Sequence, residues 1–337
     1  MPPILKSTIG TTPRRSLAMT RYVALGAALV LAQWLGTPLS WGAGTPKAAT
    51  NLRTDGTPAN ECTQMKPDWI FCSGFEEGNK SIWDNVSPMP DDTHTLMEDP
   101  GPKNIAGNHV IRLRPPPGAR TGADLVKLMP QSYDRLYARW YIKWEPGYNL
   151  TAHNHGGGLH AGSRWNLGRS DVRPNGDDWF SSWIEPINTS AYGEPYGPAL
   201  NAYTYYRGMY QDCADPNGAC WGDHFPCMLG DSNTGYCKSP EDREKVPPPK
   251  LVTNRWYCIE MMMDGGTPTS SQTGANGVLD FWVDGVEAGP WTNLWFRTVP
   301  ELKLTLLWLS LYFHETHTVE GIMFDNVVVS KSKVGCL

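Results

Sequence analysis

From Tyr137 to Trp144 the chain reads Tyr-Ala-Arg-Trp-Tyr-Ile-Lys-Trp, a strict period of two that no helix accommodates. Extended, it sets Ala138, Trp140, Ile142 and Trp144 on one side and Tyr137, Arg139, Tyr141 and Lys143 on the other. The stretch from Leu302 to His314 repeats the pattern, parting Leu307, Leu309, Leu311 and Phe313 from Leu306, Trp308, Ser310, Tyr312 and His314. Between such runs the 34 Gly and 29 Pro, with Asn and Asp, break the chain into short segments. No sustained helical stripe and no internal repeat occurs, so the expected class is all-β in one domain from about residue 68 to 337.

The N-terminus follows a different logic. Lys6, Arg14, Arg15 and Arg21 precede an apolar run from Tyr22 to Gly36 and then Ser40-Trp41-Gly42-Ala43, the order of a secretory signal over residues 1–42. The run is short of the roughly 20 residues a membrane helix needs, so no stable membrane span is expected after cleavage. Residues 43–67, rich in Thr, Pro, Ala and Asn, read as a flexible leader. Export, to the periplasm or out of the cell, predicts disulfides among the eight cysteines Cys62, Cys72, Cys213, Cys220, Cys227, Cys237, Cys258 and Cys336, with the pairing left open. Four of them lie between Cys213 and Cys237 without the tight pairs of a structural zinc site, which marks 207–245 as a disulfide-tied loop insertion. Removing the signal leaves 25 Lys and Arg against 34 Asp and Glu, a formal charge of −9. Such a chain, with no basic stripe, lacks the footprint for nucleic acid.

Several segments carry a likeness. Phe75-Glu76-Glu77-Gly78 with Trp83, Leu136 to Trp144, Gly156-Gly157-Gly158-Leu159-His160-Ala161-Gly162 and Tyr203-Thr204-Tyr205 follow in order. Trp256-Tyr257-Cys258-Ile259-Glu260, Gly277 to Gly285 and Phe324-Asp325-Asn326-Val327-Val328-Val329 complete the set. This order resembles the concanavalin-like β-jelly-roll polysaccharide lyases that act on alginate and glucuronan. The resemblance implies a two-sheet antiparallel jelly-roll sandwich, a monomer, and β-elimination on a uronic-acid-containing polysaccharide, a reaction that requires no cofactor. It places the base and acid on Tyr203 and Tyr205, with Arg207, on the same alternating face, lowering a tyrosine pKa. His155, His160 or Arg164 would neutralise the substrate carboxylate. Tyr137, Arg139, Tyr141, Lys143, His153, Trp183, Arg207, Trp308, Tyr312 and His314 would bind the sugar chain through ring stacking and cationic pairing. The likeness departs at two positions. Gly158 stands where the relatives carry a lysine, and Trp183 stands where a Ser-x-Arg arginine is expected.

Two other readings share the residues. Tyr137, Tyr141, Trp183, Trp308 and Tyr312 also suit a noncatalytic carbohydrate-binding platform. His153, His155 and His160 form a cluster that a transition metal would accept in a metal-dependent glycan-active enzyme, the less favoured alternative. Glu76 and Asp325 match the positions that hold a structural calcium in jelly-roll carbohydrate modules.

Overall fold

The computed structural model describes residues 60–86, 93–114, 123–150, 155–162, 172–187, 198–209, 220–226, 249–312 and 320–337. All belong to the unit Ala49–Leu337, and they form two antiparallel sheets. The first runs β13 (Val286–Glu287), β12 (Gly277–Val283), β11 (Trp256–Asp264), β6 (Arg135–Trp144), β16 (Ile322–Ser330), β4 (His109–Leu113) and β3 (His94–Glu98). On it β1 (Trp69–Ser73) pairs with β16 and β14 (Trp291–Leu294) with β12. The second runs β10 (Asp223–Phe225), β9 (Ala199–Tyr205), β8 (Trp179–Ile187), β7 (Gly157–Gly162), β15 (Leu304–Ser310), β5 (Asp124–Tyr133) and β2 (Asn85–Val86). This is the all-β class expected from the alternation, in the two-sheet antiparallel sandwich that the resemblance implies.

The core lies where the periodicity puts it. Ala138, Trp140, Ile142 and Trp144 of β6 are buried, and across the register Ile259, Met261, Phe281 and Val283 share their face. From the other sheet Leu159, Ala161, Phe180, Leu200, Leu307 and Leu309 meet them in one apolar cluster. The sheets touch closely at Gly157, where a Cβ would sit 2.7 Å from the Trp140 ring. A fully buried ring such as Phe281 contributes about 1.5–3 kcal/mol of transfer free energy.

Both ends of the described chain close over the outer face of the nine-stranded sheet. Residues 60–67, the last part of the stretch read as a leader, begin with a 3-10 turn at Glu61–Thr63 capped by the Asn60 side chain. Cys62 is bonded to Cys72, and Glu61 pairs with the fully buried Arg139. At the other end Cys336 is bonded to Cys258, the N–H groups of Val334 and Gly335 donate to Glu260, and that of Leu337 donates to the Tyr141 hydroxyl. Cys220 is also disulfide-bonded, and no cysteine among the described residues is free. Cys213, Cys227 and Cys237 lie outside the described residues. Within the expected 207–245 insertion, Asp223–Phe225 is a regular edge strand paired with β9.

Candidate functional site

The outer face of the seven-stranded sheet gathers chemistry that the inner face lacks. Trp183 stands opposite Gly158 and Tyr203, and Ser181 opposite His160 and Tyr205. His224 pairs with Tyr203, and Trp308 with Gly158. Because side chains alternate, these registers place His160, Ser181, Trp183, Glu185, Asn201, Tyr203, Tyr205, His224 and Trp308 on one face. Their neighbours in sequence, Phe180, Ile184, Leu200 and Ala202, point into the core.

At the centre the hydroxyls of Tyr203 and Tyr205 lie 2.7 Å apart. The N–H of Gly222 donates to the Tyr203 oxygen at 3.3 Å, and the Tyr203 ring stacks on His224 with centroids 4.7 Å apart. Burial pushes the Tyr203 hydroxyl well above the ordinary tyrosine pKa, and the Tyr205 hydroxyl and the charge of Glu185 push the same way. Tyr203 therefore holds its proton at neutral pH. Arg207, expected to act in the opposite direction, lies beyond the end of β9 with its guanidinium 4.7 Å from the Trp295 ring centroid. It is not among the groups that shift Tyr203.

His155 sits just before β7, its N–H donating to the Tyr312 carbonyl at 3.0 Å. Its ring stacks on Trp183 at 5.1 Å and lies 4.9 Å from Tyr312 and 5.9 Å from Tyr203. Its Nε2 is 3.6 Å from the Glu185 carboxylate, which is buried completely. On the other side of that carboxylate His224 Nδ1 is 4.0 Å away, and the same nitrogen is 2.7 Å from Asn201 Oδ1. Glu185, Asn201 and His224 had not been singled out. Glu185 shares the strand parity of Trp183, a signal the sequence did carry; the approach of His224 depends on the β9–β10 pairing, which it did not.

His160 has a different character. It is buried against Trp183 and Trp308, with ring centroids 4.5 and 5.2 Å away, and neither ring nitrogen has a hydrogen-bond partner. Desolvation lowers its pKa to about 3. A neutral imidazole cannot supply the cation expected of it, so His160 does not neutralise a carboxylate near neutral pH. Trp308 donates its indole N–H to Asp124 at 2.8 Å. A Cβ on Gly158 would collide with the carbonyl oxygen of Ser182, so this backbone excludes a lysine at that position.

The remaining expectations separate. Tyr137, Arg139, Tyr141 and Lys143 share a face as predicted, but on the opposite sheet. There Arg139 pairs with Glu61, Lys143 pairs with Asp99 and lies over the Trp256 ring, and Tyr141 accepts from the C-terminal residue. These contacts occupy Arg139, Tyr141 and Lys143, three of the side chains expected to bind substrate. Glu76 accepts from the N–H of His109 at 2.8 Å and lies 3.0 Å from its Nδ1. Asp325 accepts from Asn108 and from the N–H of Asn326, and burial raises its pKa to about 8. No group of three or more His, Cys, Asp or Glu among the described residues is arranged to hold a metal ion. His153, Arg164 and His314 lie outside the described residues.

This face offers a proton acceptor, a pair of hydroxyl donors and half-buried aromatic rings at Trp308 and Tyr312. No protein-family model matches the chain, and no curated protein matches it. Solved structures do. An alginate lyase from a Chlorella virus is similar over 79% of this chain and 100% of its own, with a TM-score of 0.54 and 13% identity. A marine alginate lyase from Aplysia kurodai matches 77% of this chain and 98% of its own, at a TM-score of 0.51 and 12% identity. A third alginate lyase, solved in complex with an alginate trisaccharide, covers 79% of this chain and 97% of its own, at 0.51 and 11%. At these identities the shared property is the fold, the jelly roll that the sequence resembles.

Proposed function

We propose that this chain is a polysaccharide lyase that cleaves a uronic-acid-containing polymer by β-elimination on the outer face of the seven-stranded sheet. The observation that carries the reading is the Tyr203–Tyr205 hydroxyl pair, 2.7 Å apart, with His155 beside it. In this reaction His155 removes the proton α to the uronate carboxyl. The released electron pair forms the ring double bond, the bond to the glycosidic oxygen breaks, and that oxygen takes the Tyr203 proton. The roles invert the sequence expectation, in which a tyrosine was the base. Burial of Tyr203 supports the inversion, because a hydroxyl whose pKa is raised donates better than it accepts at neutral pH. Tyr312 and Trp308 would stack on the sugar rings. That one similar structure was solved with an alginate trisaccharide favours alginate among the first polymers to test.

The test is to compare His155→Gln and Tyr203→Phe with the native protein on the polymer it cleaves. Each is expected to lower kcat by about 100-fold or more, the usual share of a general acid or base. Native-level elimination by either variant overturns the assignment.

A second reading, carbohydrate binding without cleavage, is favoured by the packed His160–Trp183–Trp308 group, in which Trp183 occupies a position where the resemblance implies a cation. Glycan binding with no unsaturated product would select it. We further infer an oxidising compartment, supported by the Cys62–Cys72 and Cys258–Cys336 bonds; no helix among the described residues is long and apolar enough to cross a membrane.

A further inference from the structure

We propose that the main-chain N–H of Gly222 stabilises the negative charge that develops on the Tyr203 oxygen as Tyr203 gives up its proton, so that the cysteine-rich insertion takes part in the chemistry of the site. The inference rests on the elimination reading of the same face and adds what steadies the acid once its proton has gone.

The need for such a donor follows from where the acid sits. When the Tyr203 proton passes to the departing glycosidic oxygen, the O–H bonding pair stays behind as a phenolate, and the proton taken from the sugar rests on His155. Both groups are restored when a proton returns from the imidazolium to Tyr203. With Tyr203 only 4% exposed, little water can solvate the phenolate in the meantime. Its oxygen meets the Tyr205 hydroxyl at 2.7 Å and the Gly222 N–H at 3.3 Å. A hydroxyl turns to donate or accept, whereas an N–H only donates. The Gly222 N–H is therefore aimed at the developing charge before the reaction begins and needs no reorganisation. Burial raises the Tyr203 pKa, and this N–H pulls it back down, as a donor to the ionised form must.

The insertion holds that donor in place. After Gly222 the chain enters β10, whose register sets His224 opposite Tyr203 and Phe225 opposite Ala202. His224 stacks on the Tyr203 ring, the Asp223 carboxylate accepts from the Tyr206 hydroxyl at 2.8 Å, and the buried Phe225 ring lies 5.5 Å from that of Trp291. Two residues before Gly222, Cys220 is disulfide-bonded. The approach itself requires glycine. A Cβ at this position would stand 2.8 Å from the Thr204 carbonyl oxygen and 3.0 Å from Cε2 of Tyr203, so a larger residue drives the strand away from Tyr203 and takes the N–H with it.

The test reads the donor separately from the reaction it serves. Difluorotyrosine, a stronger acid than tyrosine, is placed at position 203 and titrated by fluorine NMR in the native background and in Gly222→Ala. Displacing the N–H should make it a weaker acid by about tenfold or more. Replacing Gly222 by glycolate puts an ester oxygen where the N–H stood and adds no Cβ; it should shift the titration the same way, and it serves where the alanine variant does not fold. On a cleaved polymer either change should lower kcat by about 100-fold, the usual share of one such donor. In a Tyr203→Phe background the same change should lower kcat no further, because the charge no longer forms. An unshifted titration in the glycolate protein overturns the proposal, as does a native kcat or an equal loss in the Tyr203→Phe background. If the titration shifts and the native protein cleaves no polymer, the donor assignment stands and the elimination reading falls.

Discussion

Replacing His160 with Phe should remove a specific acid sensitivity from the protein. In the unfolded chain His160 takes a proton at its ordinary pKa of 6.5, whereas in the fold it resists protonation down to about 3. The unfolded state therefore binds more protons in this range, and the contribution of His160 to stability, complete above pH 6.5, is lost as the pH falls toward 3. At about 1.36 kcal/mol per pKa unit, the loss between pH 7 and pH 5 is roughly 2 kcal/mol. The quantity to measure is the difference between the urea unfolding free energies at pH 7 and at pH 5, for native protein and for His160→Phe. Any packing change from the new ring shifts both pH values alike and cancels. The native difference should exceed that of the variant by about 2 kcal/mol. If the two proteins lose stability in parallel, His160 titrates normally and is hydrated, and the argument that removes it from the cationic machinery fails.

Asp325 should act in the opposite direction. Its pKa is raised from 3.8 to about 8, so its contribution is complete below pH 3.8 and is lost as the pH rises toward 8; Asp325→Asn should flatten that decline in unfolding experiments across the window. The Cys258–Cys336 bond spans 78 residues and Cys62–Cys72 spans 10, which by loop entropy correspond to about 4.5 and 2.7 kcal/mol. Paired Cys→Ser variants should therefore lower Tm more at the first bond than at the second, and equal losses would contradict the ordering. Gly158→Ala should destabilise by about 1–3 kcal/mol because its Cβ meets the Ser182 carbonyl; a neutral effect in urea unfolding would show that the strands can separate.

The alternation in β6 and β15 made the fold legible, because a period of two states which side chains share a face. It does not state which sheet a face belongs to or what covers it. Tyr137, Arg139, Tyr141 and Lys143 share one face as grouped, yet Glu61 covers Arg139 and Leu337 covers Tyr141, contacts distant in sequence. Tyr203, Tyr205, His155, Trp183 and Trp308 did converge, since family likeness or parity linked each to the same sheet. Glu185 is legible by its parity with Trp183, but the approach of His224 comes from the strand order β8, β9, β10, and strand order is a property of pairing rather than of local pattern. The charge state of His160 was equally hidden, for it follows from two tryptophans packed on it from different strands.

The central claim is that the face carrying Tyr203, Tyr205 and His155 performs elimination. Its most direct test is to incubate the purified protein with a panel of uronic-acid polysaccharides, alginate and glucuronan included, and follow the ultraviolet absorbance of the unsaturated sugar end. The account predicts a rise on at least one polymer that disappears in Tyr203→Phe. Tight binding of a polymer with no rise would contradict elimination and leave the face as a carbohydrate-binding surface.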